Sequence, residues 1–303
     1  MPKPVCTIAI LVNAQKQNAV PILNSLIAEN RKLGYRLLLD RKLEGWIEGN
    51  PPLLSFLDEQ QLPGDADCAL VLGGDGSMIH AAKICSPLNV PILGINLGRV
   101  GYLADLDPGD FSPLKRLGDG DYRTENRMML DASVFRGSEP VHVMTPALND
   151  AVISNGSISR MVELSVSCDG QPVTVLHADG VIAATPTGST AYSMSAGGPI
   201  VDPLLDCICM TPVCPHSISE RPVLFSCSST IEIENVSSRD VSTYLTVDGT
   251  ENYQLLKGDV VRIRKSERSA CLIRLSPTGF YSHLNRKIAF RNTFQSDREV
   301  LES

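Results

Sequence analysis

Cys68-Ala-Leu-Val-Leu-Gly-Gly-Asp-Gly-Ser-Met-Ile-His-Ala-Ala-Lys-Ile-Cys85 decides how the first third of the chain folds. Cys68 to Leu72 is short and wholly apolar, the pattern of a strand buried on both faces. Gly73-Gly74-Asp75-Gly76 stops it, and Ser77 is placed to cap a helix over Met78 to Cys85. Upstream, Thr7 to Val12 reads as a first strand, not a signal peptide, because no small-residue cleavage site follows. Ile22, Leu23, Leu26, Ile27 and Leu33 then recur at helical spacing up to Gly34, and Tyr35 to Leu39 is a second strand. Leu53 to Leu57 is a short segment between proline-marked loops. Downstream, Val90 to Ile95 is another buried strand, leading into the glycine-spaced loop Gly94 to Gly101. Apolar strands alternating with helices predict an α/β domain with an open parallel sheet, whose ligands lie at the carboxyl ends of the strands.

The character changes after Asp105. Pro108-Gly109 and Gly118-Asp119-Gly120 bracket a short helical piece read as the linker region. From about Arg127, strand-length runs follow at short spacing: Glu163–Cys168, Val173–His177, Asp206–Thr211, Val223–Ser226, Thr230–Glu234, Ser242–Val247, Val260–Arg264 and Ala270–Leu275. Asp169-Gly170 is a hairpin signal, and Asp248-Gly249 and Lys257-Gly258-Asp259 are further turns. The reading is an α/β domain over 1–120, a mainly antiparallel β-rich domain over 121–275, and a C-terminal segment over 276–303, helical around Tyr281 to Phe290.

The totals describe an ordinary globular chain: 303 residues, 43% apolar and 20% charged. A net charge of −7 argues against nucleic acid or an anionic membrane as partner. No apolar run approaches the roughly 20 residues of a membrane helix. The nine cysteines are odd in number and scattered among apolar residues, as reduced thiols of a cytoplasmic protein are. Cys207, Cys209 and Cys214 with His216 form the one cluster, and it lacks the paired spacing of zinc sites, so no metal ligands are assigned.

Four stretches can carry chemistry. In the Gly73–Gly76 tetrad, three glycines let backbone approach a phosphate at a helix N-terminus. The tetrad matches neither a Walker loop nor a dinucleotide fingerprint. Asp75 is out of place beside phosphates unless it binds a metal or takes a proton from an attacking hydroxyl. The alternative is a plain turn with Asp75 capping the helix. Asn149-Asp150 can hold two ribose hydroxyls, and equally is a common turn pair. Asp179-Gly180 has the same ambiguity, and Arg160 judged alone is a surface charge. His177 to Pro199 is rich in small residues and hydroxyls, with Ser189 or Thr190 placed to cap a short helix through Ala196. It suits either a tight turn or a bed for a flat, uncharged base or ribose.

Taken together these residues resemble the NAD kinase family, which phosphorylates NAD on its adenosine ribose to give NADP. The resemblance runs in order through Gly73-Gly74-Asp75-Gly76, Gly98-Arg99-Val100-Gly101-Tyr102-Leu103, Asn149-Asp150, Asp179-Gly180, Thr185 to Ser193 and Ala196-Gly197-Gly198-Pro199. The tetrad also occurs in diacylglycerol kinase-like lipid kinases and phosphofructokinases, whereas the Thr185–Pro199 block is specific to NAD kinases. The resemblance implies NAD in a crevice between two domains and a C-terminal segment that returns to the first. It implies Asp75 as the catalytic aspartate with Gly76 beside it. It also implies NAD contacts from Asn149, Asp150, Arg160, Asp179 and the run Thr190, Ala191, Tyr192, Ser193, Met194 and Ser195. ATP or polyphosphate would be the phosphoryl donor, Mg²⁺ or another divalent metal the cofactor, and a homo-oligomer the assembly. Two positions depart from the family: Asp150 stands where Glu is common, and Thr250 follows Asp248-Gly249 where an amide is expected. His177 carries no role. A lipid kinase and a non-catalytic nucleotide sensor on the same scaffold are the competing readings.

Overall fold

The computed structural model describes residues 2–16, 18–49, 51–98, 101–156, 161–217, 219–238, 241–276, 279–282 and 284–285. The chain divides into two compact units, Met1–Asn126 with Ala270–Ser303, and Arg127–Ser269.

In the first unit β1 (Thr7–Val12), β2 (Arg36–Asp40), β3 (Leu54–Leu57), β4 (Cys68–Gly73) and β5 (Ile92–Asn96) run parallel in the order β5-β4-β1-β2-β3. Helix α1 (Ala19–Leu33) ends where Gly34 takes the left-handed conformation, at φ 78°, and returns its N–H to the Asn30 carbonyl. All six positions of β4 are buried, which is why its sequence does not alternate.

Helix α2 spans Asp75–Cys85, with Gly74 at its N-cap and no side-chain cap. It therefore starts three residues earlier than the sequence suggests, and Asp75 lies in its first turn, where a negative charge suits the helix dipole. Ser77 is not the cap. Its hydroxyl packs against Gly73, where a Cβ would fall 2.2 Å from Oγ, and it lies 3.4 Å from the Asn13 Nδ2 donor.

The expected linker is instead core. Phe111, Leu114 and Leu117 recur on one stripe of a 3₁₀ turn and of α3 (Lys115–Gly118), and with Tyr122 they join the cluster formed by Ile8, Leu39 and Leu70. The Tyr35 hydroxyl fastens this piece, donating to the Leu114 carbonyl at 2.7 Å and accepting from the Gly118 N–H at 2.8 Å.

The second unit holds β6 (Arg123–Arg136, from Arg127 onward), β7 (Glu139–Val143), β8 (Asp150–Asn155), β9 (Val162–Cys168), β10 (Gln171–Ala178) and β11 (Gly180–Ala184). Helix α4 (Tyr192–Ser195) follows, then β12 (Cys207–Val213), β13 (Val223–Ser226), β14 (Ile231–Asn235), β15 (Thr243–Val247), β16 (Glu251–Leu255) and β17 (Asp259–Arg274). Six strands pair antiparallel in the order β13-β12-β11-β8-β15-β16, and β10-β9-β14-β17 form a second antiparallel set. Alternation sends Ala151, Ile153, Leu245 and Val247 of the first set into one core with Leu164, Ile233 and Ile263 of the second. Asp169 and Gly170 both take positive φ, 50° and 75°, as a two-residue hairpin turn requires.

The runs Val260–Arg264 and Ala270–Leu275 are one strand. The polar stretch between them stays extended because β17 pairs with β6 as well as with β14, and ladder bonds do not depend on side-chain polarity. From Ala270 this strand belongs to the first unit. There Leu272 pairs with Ile92 of β5, and Ile273 and Leu275 enter the core. Most of the helix expected over Tyr281 to Phe290 lies outside the described residues. No helix among the described residues is long and apolar enough to cross a membrane.

Candidate active site

In the first unit the strand order turns back at the β4 and β1 neighbours, the place where open parallel sheets bind ligands. A cleft of about 180 Å³ opens there, lined by Val12 and Asn13 after β1, Gly76, Ser77 and His80 of α2, and Glu59. The tetrad's glycines divide by role. Gly73 is required by packing against Ser77, whereas a Cβ on Gly74 or Gly76 would meet open space, leaving bare backbone for a ligand to approach.

The Asp75 carboxylate accepts the Tyr102 N–H at 3.0 Å on Oδ1 and 3.1 Å on Oδ2, and the Leu103 N–H at 3.1 Å on Oδ1. Gly101 permits this approach, because a Cβ there would lie 2.3 Å from Asp75 Oδ1. The Gly94–Gly101 loop noted in sequence thus ends against Asp75, and the two residues after it supply the amides. Arg99 and Val100 lie outside the described residues. Pinned carboxylate oxygens restrict Asp75 to a narrow range of positions, as a base acting on one hydroxyl requires.

In the second unit a cleft of about 360 Å³ is lined by Asn149, Asp150, Val152, Ser154, Ala191, Tyr192, Thr246, Asp248 and Gly249. That is within the ~300–1,000 Å³ of small-molecule sites. Alternation on β8 and β15 builds it. Ala151, Ile153, Leu245 and Val247 enter the core, so Asp150, Val152, Ser154 and Thr246 face the other way.

Asp248 was legible only as a turn residue, yet its carboxylate holds the Asn149-Asp150 corner. It accepts the N–H groups of Leu148 at 3.0 Å, Asn149 at 2.8 Å and Asp150 at 3.2 Å, while its own N–H donates to the Asp150 carbonyl at 3.0 Å. The signal was present in its position after β15, two chain steps beyond the residue paired with Val152. Asp150 is 6% exposed, and burial, reinforced by the neighbouring Asp248 charge, pushes its carboxyl up to about 7. It can therefore donate a hydrogen bond near neutral pH. Thr250 turns its N–H to the Val247 carbonyl.

The Thr185–Pro199 block grips the same corner from the other side. The Thr185 hydroxyl donates to the Leu148 carbonyl at 2.6 Å and its N–H to the Asn149 carbonyl at 2.8 Å. A Cβ on Gly188 would lie 2.1 Å from that Asn149 oxygen. Ser189 and Thr190 sit in a 3₁₀ turn and cap nothing. Ser189 bonds to Pro186 and Val201, and Thr190 to the Thr187 carbonyl. Thr190 and Ser193 are buried, the latter bonded to the Thr211 hydroxyl at 2.9 Å, so their side chains shape the cleft without lining it.

Ala191 and the half-exposed Tyr192 line the cleft, while Met194 is partly buried and Ser195 exposed. Asp179 is exposed, with its Oδ1 3.5 Å from Asn155 Nδ2. Arg160 lies outside the described residues.

Comparison with known proteins agrees with this arrangement. The family model "ATP-NAD kinase N-terminal domain" matches residues 55–122, and "ATP-NAD kinase C-terminal domain" matches 148–275. The NAD kinase of Symbiobacterium thermophilum is 41% identical over 282 residues, 93% of this chain and 98% of its own. A crystal structure of yeast NADH kinase complexed with NADH superposes with a TM-score of 0.85 at 25% identity, covering 95% of this chain and 89% of that one. An NAD kinase from Archaeoglobus fulgidus in complex with ATP shares the fold at a TM-score of 0.71 and 24% identity, covering 93% of this chain and 98% of that one. With both family models matched in order and the relative covered nearly end to end, the chain belongs to the NAD kinase family.

Proposed function

We propose that the chain transfers the γ-phosphoryl group of ATP to the 2′-hydroxyl of the adenosine ribose of NAD, giving NADP and ADP. The carriage of Asp75 carries this reading: a carboxylate held by two backbone amides beside glycines whose backbone faces open space. The ribose 2′-oxygen attacks the γ-phosphorus, the bond from that phosphorus to the β–γ bridging oxygen breaks, and the hydroxyl proton passes to Asp75. A positioned base contributes on the order of 10²–10⁴-fold to such a step. Backbone at Gly73, Gly74 and Gly76 receives the phosphoryl group near the α2 N-terminus.

Asn149 and Asp150 hold ribose hydroxyls, with the neutral Asp150 carboxyl donating. Ala191 and Tyr192 bed the dinucleotide. Thr190 and Ser193 act by shaping that bed, and Asp179, Met194, Ser195 and Arg160 are assigned to NAD by family resemblance.

Among the described residues no three carboxylate, imidazole or thiol side chains gather as a metal site. Mg²⁺ is usually held by one or two carboxylates together with substrate phosphates, and we place it on the donor triphosphate, as part of the substrate. Polyphosphate as alternative donor, a homo-oligomeric assembly and a cytoplasmic location belong to the same proposal. The nine unpaired cysteines support a reducing compartment.

The test is a coupled assay for NADP with NAD, Mg²⁺ and either ATP or polyphosphate, run on the wild type and Asp75→Asn. The variant is expected to bind NAD and to lose turnover by about 10²–10⁴-fold. NADP formation by the variant at the wild-type rate overturns the role of Asp75. NAD binding without product in the wild type leaves a sensor.

A further inference from the structure

Arg274 is a buried cation that the mechanism above does not use. Its side chain is 8% exposed. Nε donates to Glu125 Oε2 at 3.0 Å, Nη1 donates to the Leu103 carbonyl at 2.8 Å, and Nη1 lies 3.8 Å from Asp105 Oδ1. The other Asp105 oxygen accepts the N–H groups of Leu275 at 2.7 Å and Ser276 at 2.8 Å. All these residues belong to the first unit.

Leu103 connects this cluster to the candidate base. Its N–H donates to Asp75, and its carbonyl is held by Arg274. The next residues are tied to β5, since the Asp105 and Leu106 N–H groups donate to the Gly94 carbonyl at 3.0 and 3.1 Å. The segment that presents two amides to Asp75 is thus tied to β5 through Asp105 and Leu106, and to the Arg274 guanidinium through the Leu103 carbonyl.

A buried ion cluster is a poor stabiliser, because desolvating the charges offsets their attraction, and apolar replacements of equal volume are often neutral or better. The placement of Arg274 is better explained by geometry. An arginine fork holds two acceptors at fixed angles. We propose that Arg274 is a positioning residue for the phosphoryl transfer: by holding the Leu103 carbonyl it sets where the Tyr102 and Leu103 amides, and hence the Asp75 carboxylate, stand. The proposal rests on Asp75 being the base.

Steady-state kinetics on four variants test it. Arg274→Gln is expected to lower kcat about 10- to 100-fold with KM for NAD within about twofold, the size of effect a small misplacement of a reacting group produces. Arg274→Lys keeps the charge but cannot fork to Leu103 and Glu125 together, and is expected to lose about three- to tenfold in kcat. Arg136→Ala removes an ion pair to the fully buried Asp259 in the second unit, and is expected to lose thermal stability with kcat unchanged. Wild-type kcat in Arg274→Gln overturns the proposal. So does a raised KM with unchanged kcat, or an equal fall in kcat in Arg136→Ala. If Arg274→Gln does not fold, wild-type kcat in Arg274→Lys overturns it. Full turnover in Asp75→Asn removes instead the base assignment on which the proposal rests.

Discussion

The Asp75 carboxylate accepts two backbone N–H groups, whereas the Asp150 carboxyl accepts none among the described residues and lies beside Asp248 in the lining of its cleft. Both side chains follow a glycine- or turn-rich stretch at one end of a strand, and sequence alone treats them alike. Their surroundings make them different tools. In the first unit the neighbouring loop turns its amides toward the carboxylate and fixes where it stands. In the second unit Asp248 takes the three N–H groups of Leu148, Asn149 and Asp150, and the Asp150 carboxyl is left buried beside a like charge, which favours its neutral form. One carboxyl is positioned by backbone amides, and the other is set by burial and a like charge.

The comparison is broken most sharply through the glycine that abuts each site. Gly101→Ala places a methyl 2.3 Å from Asp75 Oδ1, and Gly188→Ala places one 2.1 Å from the Asn149 carbonyl. Gly101→Ala is expected to cost about 10²-fold in turnover with NAD affinity retained, and Gly188→Ala to weaken NAD binding at least as much as it slows turnover. Titration calorimetry beside initial-rate kinetics separates the two, and the same pattern in both variants would erase the division of labour.

Asp248→Ala strands three N–H donors at the Asn149-Asp150 corner. A loss of about 2–4 kcal/mol in unfolding free energy is expected, read from denaturant titration. A loss within 0.5 kcal/mol would show that the corner stands without it, by the yardstick of ordinary surface substitutions at about ±0.5 kcal/mol.

Asp150 gives a pH dependence with a definite sign. Its carboxyl is raised from 3.8 to about 7, so the folded chain holds a proton that the unfolded chain has released between those values. Its contribution to stability is therefore greatest at the acid end and falls as pH rises through that interval. Asp150→Asn is expected to be more stable than the wild type by about 1–3 kcal/mol at pH 8, with the gap closing toward pH 4. Thermal melts of both proteins across pH measure this, and a gap that does not change with pH contradicts the neutral form.

The smallest effect is at Tyr192, whose ring is half-exposed at the cleft edge. Tyr192→Ala is expected to weaken NAD binding by about 1 kcal/mol, roughly five- to tenfold, with ATP affinity unchanged. Equal losses for both ligands would make the residue structural.

Much of this was legible in the chain. The apolar runs of β1 and β4 and the Gly34 stop of α1 mark the parallel unit, and Asp169-Gly170 marks a hairpin, because burial on two faces, a left-handed cap and a primed turn each demand particular residue types nearby. The errors fell where a distant partner decides. Ser77 has the residue type of a cap, but packing against Gly73 claims its hydroxyl. Phe111 to Tyr122 is bounded by glycine like a linker, but its apolar stripe finds the core of β1 and β2. The polar stretch before Ala270 reads as a break, but ladder pairing carries the strand through it.

The sequence by itself determined the strand and helix periods, the positions of the turns, and the order of motifs that places the chain in its family. These are local properties, set by side-chain volume, branching and backbone freedom within a few residues. Only the tertiary structure decided that Gly101 brings amides onto Asp75, that Asp248 lies against the Asn149-Asp150 corner 98 residues away in sequence, and that Arg274 holds the loop that holds Asp75. Hydrogen-bond partners and desolvation depend on what the fold brings near, and chain spacing carries no record of either.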